Sequence, residues 1–213
     1  MNYEFAYMME GILEGVLSVV GTSSFLGIAS YVLCALSLYT IADRRGIKKA
    51  WLAWMPVVNV WILGSISDQY RYVVKGEVKS RRKVLLTVAI LNMLLSIAAT
   101  VWTVVTAVLA ISGAAQGVDE SAMVDLVMNS AMKGLVIYVP TLILKIVGTV
   151  AEIVALYDVY SSCEPANNVL YLILSIIPGI SHITKPLFLF LSRNQDKGMP
   201  PRRETVGENP AEF

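Results

Sequence analysis

Apolar and polar positions alternate along this chain on the scale of a lipid bilayer. Uncharged runs extend from Gly15 to Ala42, from Ala50 to Ser67 and from Val84 to Val118. A fourth apolar run, Leu135 to Tyr157, is broken by Lys145 and Glu152, and a fifth, Val169 to Ser192, by His182 and Lys185. A crossing helix needs roughly 20 mainly apolar residues, and on that measure segments 22–42, 84–112 and 135–157 cross. The other two runs carry proline corners, Pro56 with Asn59 and Pro178 with Gly179. Proline removes a backbone donor and disfavours helix at the residue before it, so segments 50–67 and 169–192 are predicted to be dips. For 50–67 a kinked full crossing is the alternative. The expected fold is an all-α integral membrane helical bundle, with three full crossings plus two proline-cornered re-entrant or short helical hairpins.

Within the crossings the polar and small residues fall on helical stripes. Ser23, Gly27, Ser30, Cys34 and Ser37 form one, and Asn92, Ser96, Thr100 and Thr103 another. Small and hydroxyl residues let membrane helices approach closely. The third crossing repeats Thr141, Lys145, Gly148, Glu152 and Ala155 at steps of four and three, which puts both charges on one inward stripe. Each charge costs on the order of 3 kcal/mol at membrane depth on insertion scales, so it is expected to pair or to line a wet cavity. Lys145 and Glu152 are two turns apart, about 10.5 Å of rise. That is long for a direct bridge, and Asn92, at similar depth, is the expected partner of Glu152. Lys145, Glu152 and Asn92 are thus the candidate intramembrane polar site.

Charge then orients the chain. Of 17 Lys and Arg residues, ten lie between Arg44 and Lys83 and four between Arg193 and Arg203. Basic loops stay cytoplasmic, so both flanks of the 50–67 dip and the tail 193–213 are expected inside and the N-terminus outside. Segment 1–21, with Glu10 and Glu14 opposite an apolar face, is expected as an amphipathic helix at the outer surface. Segment 113–133 is acidic and expected outside as a short surface helix. The basic stretch Arg71–Lys83 is expected to be a soluble loop able to meet anionic lipid.

Composition agrees with this reading. With 56% hydrophobic and 15% charged residues and mean hydropathy +0.64, the chain is too apolar for an ordinary soluble domain. Two cysteines, Cys34 and Cys163, give no disulfide framework. A single histidine excludes a multi-histidine metal site, and no HExxH, nucleophile elbow or phosphate loop occurs. No enzyme activity, cofactor, metal or nucleic-acid partner is expected.

The chain also repeats itself loosely. ALSLYTIADRRGIKKAWLAWMPVVNVWILGSISDQ and EIVALYDVYSSCEPANNVLYLILSIIPGISHITKPLFLFLSRNQD both read as a crossing ending in Leu-Tyr, a polar loop, and an apolar stretch with a proline corner. Repeated units in membrane proteins often enclose a site at their interface.

The stretch from Leu38 to Lys83, and above all Trp51-Leu-Ala-Trp-Met-Pro-Val-Val-Asn59, resembles a group of bacterial multi-pass membrane proteins that share a WLAWxPxxN pattern. The resemblance implies bacterial origin and a place in the cell membrane, and it implies no activity. Two functions are then expected. The first is a non-catalytic membrane scaffold or accessory protein. The alternative is a small transporter, channel or permease-like subunit using the Lys/Glu site, which would assemble as a homo-oligomer because three crossings enclose little volume.

Overall fold

The computed structural model describes residues 25–78, 80–115 and 119–201. The expected amphipathic segment 1–21 and the tail beyond residue 201 lie outside the described residues. Every regular element within them is helical: α1 (Phe25–Arg44), a 3-10 turn (Ala50–Trp54), α2 (Asn59–Tyr70), α3 (Arg81–Ala115), α4 (Glu120–Cys163), α5 (Asn168–Ile176) and α6 (Ser181–Ser192). Three of these, over Phe25–Arg44, Arg81–Gly113 and Val124–Cys163, are long and apolar enough to cross a membrane. They coincide with the three expected crossings, and the protein is an all-α helical membrane bundle.

Two boundaries differ from expectation. The acidic segment before Lys133 is no separate surface helix, because from Glu120 it runs unbroken into the crossing as α4. Neither Gly134 nor Pro140 stops it; beside the donor that Pro140 lacks, the Thr141 hydroxyl binds the Ile137 carbonyl at 2.7 Å. Nor is 68–83 a soluble loop. α2 reaches Tyr70 and continues as a π-helical turn, Arg71–Lys75, while α3 already begins at Arg81.

The core lies at the basic end of the bundle. Leu38 and Ile41 of α1, Ile62, Leu63 and Ile66 of α2, Leu85 of α3, Leu156, Val159 and Tyr160 of α4 and Leu189 of α6 form one buried cluster. The short α2, within the segment expected as a re-entrant or short helical hairpin, is therefore a wedge at the centre of the fold. Gly64 makes that possible: a Cβ there would lie 2.5 Å from the Arg82 Cα, so only a glycine lets α2 and the start of α3 touch backbone to backbone. Away from this end α3 and α4 pack mainly on each other. Trp102 Nε1 donates to the Ser130 carbonyl at 3.3 Å, and the Thr103 and Tyr138 hydroxyls meet at 2.6 Å.

The two proline corners share one construction. Met55 and Ile177, each before a proline, are extended, as the proline ring requires. Val57 and Gly179, each after it, have positive φ, 68° and 91°. In each corner the amide that opens the next helix closes back over the proline, Asn59 to the Met55 carbonyl at 3.0 Å and Ser181 to the Ile177 carbonyl at 3.1 Å. Glycine takes that conformation freely. The β-branched Val57 does not, and it is held there by a γ-turn bond from the Val58 amide to the Pro56 carbonyl at 2.8 Å. The likeness of the two sequence units thus extends to the backbone of their corners, while the arm before the first is a 3-10 turn and that before the second is the α-helix α5.

Candidate functional site

Consecutive residues of α1 hold the two corner regions. The Ser30 hydroxyl donates to the His182 carbonyl at 2.6 Å and the Tyr31 hydroxyl to the Trp54 carbonyl at 2.7 Å. Neighbouring side chains on a helix point about 100° apart, so the corners flank α1 on two sides, roughly 20 Å along the axis from Arg44 at 1.5 Å per residue. Between them and α4 lies a half-open cavity of about 500 Å³. Its wall is polar for so apolar a chain: Ser30, Tyr31 and Cys34 from α1, Asn59 from α2, Thr149 and Glu152 from α4, Ser175 from α5, and Ser181, His182 and Lys185 from α6. Below it Leu38, Leu63 and Leu189 narrow the space to about 20 Å³. That constriction separates the cavity from the basic end.

The cavity's charges are a pair. Lys185 Nζ contacts Glu152 Oε1, both side chains partly exposed. This corrects the expected partnership. Glu152 binds neither Lys145 nor Asn92: Lys145 is exposed and makes no ion pair among the described residues, and the Asn92 Oδ1 is buried without a hydrogen-bond partner. Lys145 and Glu152, seven residues apart, stand within about 20° of each other around α4, but Lys145 is exposed while Glu152 meets α6. Of the corner residues, Asn59 lines the cavity, and Pro56, Pro178 and Gly179 are not part of its lining.

A second polar cluster closes the basic end, and the sequence reading missed it. Asp158 is fully buried; one carboxylate oxygen accepts from Ser67 Oγ at 2.6 Å, Arg71 Nε at 2.6 Å and Arg81 Nη1 at 3.3 Å, and Glu77 lies 3.1 Å from Arg71. The bond to Asp158 holds the Arg71 guanidinium above its ordinary pKa. On the other side of the fold Asp196 accepts from Arg44 and Arg45, each at 2.7 Å, and Arg45 also reaches Ser162 at 3.0 Å. The segment after α6 straps over α4, with the Lys197 and Gly198 amides bound to the Cys163 and Ser162 carbonyls at 3.2 and 3.1 Å. Arg71 and Arg81 therefore face inward, which corrects the expectation that Arg71–Lys83 is a free basic loop.

With a crossing expected to end at residue 157, Asp158 falls just outside it, whereas in the structure α4 continues to Cys163. No glycine or proline occurs between Tyr157 and Pro165, and that absence was the available signal that the helix runs on. Among the described residues no three His, Cys, Asp or Glu side chains gather as a metal site would require. The geometry defines a membrane helical bundle with a polar, charge-paired cavity. No family model, curated protein or solved structure matches the chain.

Proposed function

We propose that the chain is a permease-like protein of a bacterial cell membrane that admits a small polar solute to the cavity between its crossings. In this reading the basic end faces the cytoplasm, the N-terminus is outside and the C-terminus inside, and segments 50–67 and 169–192 enter and leave on the cytoplasmic side. The reading is supported above all by the Lys185–Glu152 pair in a polar cavity where two half-length helical hairpins meet. Interrupted helices are tolerated at membrane depth where they line a water-filled space, and solute sites of transporters commonly lie between broken helices. The scaffold expectation, placed first from the sequence, gives the basic stretch Arg71–Lys83 an outside partner, and two of its charges are bound inside the fold.

Flux tests this. Vesicles containing the purified protein should take up small polar solutes faster than protein-free vesicles, and Thr149→Phe or Ser181→Phe, which fill the cavity without removing either charge, should abolish the difference while the protein remains folded. Uptake no faster than in protein-free vesicles would return the chain to the scaffold reading, and uptake unchanged by both variants would mean that this cavity is not the route.

A further inference from the structure

We propose that the cavity is a site for a small zwitterion, whose anionic group binds Lys185 and whose ammonium group binds Glu152. The proposal rests on the permease-like reading for its access route and adds the ligand's charge pattern. Lys185 and Glu152 are the opposed charges of this cavity, on different elements, and among the described residues their charged atoms pair only with each other. A ligand carrying both signs can part them and leave two ion pairs where there was one. A ligand with one charge would leave the opposite side chain, about two-thirds covered, without its partner, and unpairing a part-buried charge is unfavourable.

The surroundings fit the same ligand. The Ser175 and Thr149 side chains, Asn59 and His182 offer donors and acceptors to a polar backbone, and the volume is that of a ligand pocket, at the small end of the usual range of about 300 to 1,000 Å³. Asn59 and Ser181 open α2 and α6, so two helix N-termini border the space where the anionic group would lie. Glu152 stands on α4, across from them.

Three probes of similar size separate the possibilities: serine (zwitterion), lactate (anion) and ethanolamine (cation). Binding would be measured by equilibrium dialysis and by the shift in melting temperature, with full-length protein in phosphatidylglycerol nanodiscs. Serine should bind at millimolar concentration, and the singly charged probes about tenfold more weakly or worse, since each strands one charge. Glu152→Gln and Lys185→Met should each lose serine. Because either may simply unfold the protein, the exchanged pair Glu152→Lys with Lys185→Glu is the control: it keeps both charges and should restore serine binding. Adding phosphatidylethanolamine should leave serine binding intact if the ligand is a soluble solute, and displace serine if it is a lipid headgroup. Both results keep the zwitterion site. Lactate or ethanolamine binding as well as serine, or no binding by any probe to folded protein, overturns the proposal. Flux of uncharged solutes without serine binding would sink it and spare the permease-like reading; serine binding without flux would do the reverse.

Discussion

Asp158 shows how one side chain ties distant parts of the chain together. It stands on α4, yet its partners Ser67, Arg71 and Arg81 come from the far side of the first proline corner and from the start of α3. A fully buried carboxylate persists only when it is paired and hydrogen-bonded, and two guanidinium groups and a hydroxyl supply that. Asp158→Ala would leave Arg81 without its anion and Arg71 with Glu77 alone, and should cost about 3–5 kcal/mol, the usual consequence of breaking a buried pair from one side. The midpoint of unfolding in detergent measures it. Replacing all three charges with apolar residues of similar size should recover most of that loss, because the desolvation cost disappears with the charges. If the triple variant is no better than the single one, the cluster does more than balance its own charges.

At the scale of elements, α2 decides the packing. Its burial between α1, α3 and α4 depends on Gly64 lying against the Arg82 backbone. Gly64→Ala should push α2 from α3 and cost about 1–3 kcal/mol, as overpacking does, again read from the unfolding midpoint. The three long helices and both corners were legible in the sequence, because uninterrupted apolar length and the X-Pro restriction are local signals. What α2 packs against was not, since an apolar stretch of 12 residues reads the same on a membrane surface as in a core. The candidate site was half legible: Glu152 was singled out as a charge that must be satisfied, but its partner lies 33 residues on, across a corner whose direction no local pattern encodes. Lys145 misled for a related reason. It stands on nearly the same face as Glu152, one heptad away, but which length of a stripe a neighbouring helix covers depends on tertiary packing, and Lys145 is exposed where Glu152 meets α6.

For the molecule as a whole, the proposed topology puts residues 75 and 197 on one side of the membrane and residue 113 on the other. In a background without Cys34 and Cys163, single cysteines at Lys75, Lys197 and Gly113 should sort accordingly. A membrane-impermeant maleimide added to intact cells should label only the Gly113 variant, and all three after permeabilisation. Labelling of the Lys75 variant from outside would mean that segment 50–67 traverses the bilayer, and the shared depth of the two corners would need another account.

The ion pairs at the basic end run crosswise. The α2 side of the first repeat is bound to α4 of the second through Asp158, and the strap after α6 is bound back to α1 through Asp196. Sliding one half past the other would have to rupture both fastenings together, whereas splaying the opposite ends apart strains neither. The chamber is thus built like a clasp hinged at its charged base: what enters should come from the loosely packed side, and onward passage would require the hinge itself to unlatch.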